Sequence, residues 1–277
     1  MHGLGAYRGL RQTNTYDAMV HWYNKGIRVF EIDMAKTTDG KYVAIAHDLS
    51  DKALRRVELF SLPENRTQDW FMAQKLFSIS THGLKPLSLE SIIDFTKEKE
   101  DVVVMLDLFG MFGSKDTKLF VESLQEIVGS ATSIWSRLLL EAYNLYMIQG
   151  IQQAGDLAQI IYCARYEGNA DKQESISPNE LLRRGISFVS YPWRYSKQHP
   201  REIREYANAN ITVFTRTVFN TKDRQLKVDG VSVNIIAKRF DGVFIVGQLP
   251  IYMASYVKRI LVKIYIATVC RRKNGSN

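Results

Sequence analysis

Glu31 and Asp33 stand two residues apart near the end of an apolar run, and His47 follows after a turn at Asp39-Gly40, all within "FEIDMAKTTDGKYVAIAHD" over 30–48. A carboxylate costs free energy where a strand packs, unless a cation or a hydrogen-bond network receives it. Side chains two apart on a strand point to the same side, so Glu31 and Asp33 share a face. A third acid, Asp107, closes another apolar run, "DVVVMLDL". One acid at a strand end is ordinarily a loop cap or a partner for Lys or Arg. Three converging from strand ends suit a hard divalent cation, Mg²⁺ or Ca²⁺.

His47 ends the arm that returns from the turn, so a doubled-back hairpin would bring it level with the two acids. Histidine serves as general acid or base near neutral pH. His2, in "MHGLGAYRG", would sit at the end of a preceding strand and face the same mouth. Two histidines beside a cation suit in-line displacement at a phosphodiester: one moves the nucleophile's proton, the other protonates the leaving group. His21, His82 and His199 receive no role, since their surroundings read as a helix surface, a polar excursion and a helix start.

Placing these residues together requires several strands that end at one rim. Short apolar runs alternate with helical patterns along the chain, the mark of parallel strands joined by crossover helices. Strands are expected near 28–34, 102–108, 137–143, 158–164, 186–191, 211–218 and 242–246. Helices are expected near 15–25, with Asn14 or Thr15 as N-cap, over 86–99 with Ser88 as N-cap, and near 116–128, 145–154, 178–184, 200–209 and 250–265. Asp39-Gly40 is a hairpin signal, so 42–48 reads as a return arm rather than a barrel strand. The segment 49–85 reads as an irregular excursion beside the mouth.

The expected architecture is an α/β TIM (β/α)8 barrel, one domain over 1–277, with its site at the C-terminal ends of the strands. A closed barrel needs an eighth strand ahead of the others, and only Met1 precedes "HGLGAYRG". The expectation is a start that lacks part of strand one, or a barrel open beside its second strand.

Composition narrows the partners. The apolar fraction, 45%, suffices for a large core, and the net charge of +8 favours either general solubility or anionic partners. No RNP-like, zinc-finger or helix-turn-helix pattern supports nucleic acid. Two cysteines, Cys163 and Cys270, make neither a zinc site nor a disulfide argument, and Cys163 in "QIIYCA" reads as a packed core thiol. The first residues lack a signal-peptide run, which sets a cytoplasmic expectation; a lost start would leave export open. "IYMASYVKRILVKIYIATVC" over 251–270 reads as a basic amphipathic helix, either the last barrel helix or a contact with a membrane surface.

The order of His2, "NT" at 14–15, Gly26, "EID" at 31–33, "TTDGKYVAIAHD" at 37–48 and "PLSLESIIDF" at 86–95 resembles the glycerophosphodiester phosphodiesterase family, within the phosphatidylinositol phospholipase C-like superfamily. "ITVFTRTVFN" and "FDGVFIVGQLP" sit where the family has its last two strands. The resemblance spans nearly the whole chain and is most specific over 26–48. It implies a TIM barrel that cleaves phosphodiesters with a divalent metal. It implies His2 and His47 as the catalytic histidines and Glu31, Asp33 and Asp107 as the metal-binding acids. At the third acid position the family commonly has Glu.

Several positions depart from the family pattern. Gly3 stands where a phosphate-binding Arg is common, Phe109 where a Lys is common, Arg216 where a Trp is common, and Thr13 where a Glu precedes "NT". Arg216, near a strand end, is a candidate replacement for a phosphate-binding cation, or else bridges an acid across the mouth. Arg8 is a weaker candidate. The leading expectation is hydrolysis of a glycerophosphodiester or a related, phospholipid-derived phosphodiester. The alternatives are a lyase-type phospholipase that forms a cyclic phosphate, and a catalytically impaired barrel that binds phosphodiester or lipid. A glycosidase fits least, because Glu31 and Asp33 lie on one strand rather than on opposite sides of a bond.

Overall fold

Thr15, Ser88, Asn144 and Ser177 each begin a helix in the same way: extended backbone, with the side-chain oxygen accepting from the amide three residues on. That bond receives an amide left without an intrahelical partner, and losing it costs about 1 kcal/mol. A computed structural model describes residues 4–7, 10–11, 13–45, 66–73, 83–108, 110–155, 158–164, 175–192, 195, 198–216, 218–219, 225–228, 231–235 and 238–239.

In chain order, helix α1 (Tyr16–Asn24) leads to strand β1 (Val29–Lys36) and the short return strand β2 (Tyr42–Ala44). Helices α2 (Gln68–Met72) and α3 (Leu89–Glu98) precede β3 (Val103–Asp107). The repeat then runs α4 (Ser114–Val128), β4 (Leu138–Ala142), α5 (Leu145–Ala154) and β5 (Gln159–Cys163). It continues with α6 (Pro178–Arg183), β6 (Phe188–Pro192), α7 (Pro200–Asn208) and β7 (Thr212–Arg216). A hairpin of β8 (Gln225–Val228) and β9 (Val231–Ile235) follows.

The sheet order is β8-β9-β7-β6-β5-β4-β3-β1-β2. The seven strands from β9 to β1 run parallel, and β8 and β2 pair antiparallel at the two edges. This strand–helix repeat is that of a TIM-like α/β barrel. Six parallel strands lie where the sequence pattern puts them. The seventh among the described residues is Val231–Ile235, paired to Phe214 and Thr215. The expected strand at 242–246, the helix near 250–265 and residues 1–3 lie outside the described residues. So does most of the 49–85 excursion, whose described part contains α2 rather than only irregular chain.

The turn that shapes the site is short. Lys36 pairs with Tyr42, and Thr37 N–H donates to the Lys41 carbonyl at 2.9 Å. Three residues, Thr38 to Gly40, therefore close the loop, and Gly40 takes φ +77°, the left-handed conformation a three-residue hairpin loop requires at its last position.

The strands divide into two faces. Phe30, Ile32, Met34, Val104, Leu106, Leu138 and Leu140 are fully buried. Burial of seven such side chains stabilises the fold by roughly 10–20 kcal/mol as an upper figure. The residues between them, Glu31, Asp33, Asp107 and Glu141, are buried as well, on the opposite face. The apolar face offsets what those acids cost. Among the described residues, no helix is long and apolar enough to cross a membrane.

Candidate functional site

Register brings the acids together. Asp33 pairs with Asp107 across β1 and β3, and Asp107 pairs with Glu141 across β3 and β4. Paired residues on parallel neighbours point the same way, so these carboxylates project from one face at the C-terminal strand ends. One oxygen from each of Glu31, Asp33 and Asp107 lies within 4.8 Å of the others, and the three residues are 2%, 0% and 4% exposed.

Such crowding is unfavourable without a counter-charge. The Asp107 carboxyl is held well above the ordinary carboxylate range, first by burial and then by repulsion from Glu141, Asp33 and Glu31. Asp107 Oδ1 is buried and, among the described residues, has no hydrogen-bond partner. An unpaired buried carboxylate oxygen inside a set of hard oxygen donors is what a hard divalent cation satisfies. The triad can therefore hold a divalent cation.

Asn14 supports this cluster from the chain segment before α1. It is fully buried and takes φ +47°. Its Nδ2 donates to Asp33 Oδ2 at 2.6 Å and to the Ile45 carbonyl at 2.5 Å. The sequence pattern left Asn14 or Thr15 as the helix cap; Thr15 is the cap, and Asn14 faces the acids instead.

Glu141 is the residue that sequence reasoning missed. Its Oε2 accepts from Tyr143 Oη at 2.9 Å and from Cys163 Sγ at 3.2 Å, and Cys163 Sγ in turn accepts from Ser190 Oγ at 3.2 Å. The available signal was an acid late in an apolar run, "RLLLEAY", as in the run that ends at Asp107. Cys163 is fully buried, as a packed thiol should be, but its thiol lies on the acidic face.

The remaining candidates are less fully described. His2, His47 and Arg8 lie outside the described residues, as does Phe109. The return arm is described as far as Ile45, whose N–H donates to the Asp33 carbonyl at 2.9 Å. Arg216 ends β7 opposite Pro192, at the expected strand end; its side chain lies outside the described residues. His21 packs against Tyr7 and Trp22, and exposed His199 stacks on Tyr195 at 4.0 Å.

No protein-family model and no curated protein matches this chain. Solved structures do. A glycerophosphodiester phosphodiesterase from Parabacteroides distasonis superposes with a TM-score of 0.62 at 17% identity, covering 87% of this chain and 90% of its own. A phosphodiesterase from Oleispira antarctica, solved with the product sn-glycerol-3-phosphate, gives 0.57 at 13% identity over 75% of this chain and 79% of its own. A glycerophosphodiester phosphodiesterase from Agrobacterium tumefaciens gives 0.51 at 14% identity over 76% and 81%. At these identities the likeness defines the fold. The chain has the barrel fold of the glycerophosphodiester phosphodiesterases.

Proposed function

We propose that the chain is a metal-dependent phosphodiesterase acting on a glycerophosphodiester or a related small phosphodiester. The observation that carries this reading is the buried triad of Glu31, Asp33 and Asp107, gathered within 4.8 Å at the strand ends of a barrel with that fold. Glu31, Asp33 and Asp107 would hold Mg²⁺ or Ca²⁺. When bound, the cation supplies neutralisation of charge that develops on the phosphoryl oxygens.

The proton work falls to His2 and His47. One accepts the proton of a water as its oxygen bonds to phosphorus. The other donates a proton to the alcohol oxygen as its bond to phosphorus breaks. A phosphomonoester and an alcohol result, and the two histidines exchange protonation states. Arg216 and Arg8 are proposed to face the substrate phosphate, in place of the cations absent at Gly3 and Phe109.

The test is turnover of glycerophosphodiesters and a chromogenic bis-aryl phosphate in Mg²⁺, Ca²⁺ or EDTA, with His47→Ala beside the wild type. Metal-dependent turnover lost in folded His47→Ala is the expected result. Phosphorus NMR of the products separates hydrolysis from a lyase, which releases the cyclic ester. A folded, metal-loaded protein that binds a phosphodiester without turnover would instead be a binding barrel.

A further inference from the structure

Asn14 pays for its position twice. A side chain other than glycine is disfavoured at its φ of +47°, although Asn tolerates this region better than most. Its amide is also only half satisfied. Nδ2 meets Asp33 Oδ2 and the Ile45 carbonyl, while Oδ1 is buried with no hydrogen-bond partner among the described residues. Both partners of Nδ2 are acceptors, so the amide cannot be turned the other way round. An orphaned buried acceptor costs about 1–3 kcal/mol. A residue kept only to fill space or to start a helix would not need this arrangement. Thr15 already caps α1.

The geometry joins three pieces of chain at one amide. Asp33 belongs to the acid strand β1, Ile45 to the return arm, and Asn14 to the segment entering α1. Ile45 also holds Asp33 by its backbone, through its N–H to the Asp33 carbonyl. Asp33 is therefore gripped at main chain and side chain together, its Oδ2 accepting from Asn14.

We infer that Asn14 is a positioning residue for the acid cluster. It fixes the orientation of the Asp33 carboxylate toward the other acids of the triad, and it locks the return arm to the acid strand. The inference rests on the reading of Glu31, Asp33 and Asp107 as a cation site. Hydrogen-bond partners of metal-binding carboxylates typically contribute 10–100-fold to metal affinity or activity.

The test uses Asn14→Gly, which keeps the left-handed backbone without strain, together with Asn14→Ala and the neighbouring Thr15→Ala. Calcium affinity is measured by isothermal titration calorimetry on the full chain, folding by circular dichroism, and kinetics on the phosphodiester panel. Both Asn14 variants should fold, bind Ca²⁺ about 10–100-fold more weakly, and lose kcat more than they gain in KM. Thr15→Ala should lower the melting temperature and leave calcium affinity unchanged. A folded Asn14→Gly with wild-type calcium affinity would overturn the inference. So would failure of both Asn14 variants to fold, because Asn14 would then be structural. A wild-type protein that binds neither Ca²⁺ nor Mg²⁺ overturns the cation site itself, and this inference with it.

Discussion

A carboxyl group crowded by three other buried acids keeps its proton more tightly in the folded chain than in the unfolded one. Asp107 is in this position, chiefly through burial and then through Glu141, Asp33 and Glu31. The sign follows from linkage. A raised folded pKa gives stability that is full below the unfolded value of 3.8 and is lost as pH rises through the folded value. Asp107→Asn carries no charge at any pH, so it isolates the effect. In EDTA, wild type and variant should melt alike near pH 3.5, and the variant should gain on the wild type as pH is raised toward neutral. A constant difference across that range would contradict the repulsion assigned to Asp107. Cation binding replaces the proton, so wild-type affinity should rise with pH, and the variant should bind far more weakly at every pH.

At this scale the sequence showed part of the site and hid part. Glu31 and Asp33 were legible because the period of a strand places them on one face. Asp107 was legible because it closes an otherwise apolar run. Glu141 carries its meaning through register with Asp107, and Asn14 through a bond to Asp33 nineteen residues away; neither relation is visible in local spacing.

Elements hold these residues in place by packing as well as by pattern. Helices α4 and α5 cross at Gly150, where an added Cβ would meet Thr117 Oγ1 at 2.0 Å and the Ser114 carbonyl oxygen at 2.2 Å. Thr117 cannot simply turn aside, since its hydroxyl donates to the Gly113 and Ser114 carbonyls. One of the clashing atoms is backbone, so the helices themselves must separate. Gly150→Ala should therefore destabilise the fold by about 1–3 kcal/mol, despite the better helix propensity of Ala. Thermal unfolding would show this as a loss of roughly 2–12 °C. An unchanged or raised melting temperature would mean that the crossing is looser than described. Helix starts and the Asp39-Gly40 hairpin were legible because caps and turn residues act locally. The strand at 231–235 was missed although Asp229-Gly230 precedes it. Val228 pairs with Val231 in an antiparallel ladder, and the same dipeptide signal read at 39–40 stands between them in the sequence.

The whole molecule couples the acidic mouth to the stability of the barrel. The triad of Glu31, Asp33 and Asp107 lies on two strands, β1 and β3, which pair along their length and belong to one hydrophobic core running from Leu4 to Val213. A cation held by both strands binds the folded chain and has no such site in the unfolded one. At a concentration 100 times its dissociation constant it should add about 2.7 kcal/mol. For a chain of this size each kcal/mol moves the midpoint by about 2–4 °C, so a rise of roughly 5–10 °C is expected. Scanning calorimetry in Ca²⁺, in Mg²⁺ and in EDTA measures it directly. One cooperative transition that shifts upward as a unit is the expected trace, because strands carrying the acids share their core with the rest of the sheet. Two transitions, of which only one moves with the cation, would show that the described sheet does not unfold as one body. The cluster would then stabilise only the part around β1, β2 and β3. A single transition unmoved by either cation would remove the triad as a binding site and leave the buried acids as a cost met by the apolar face alone.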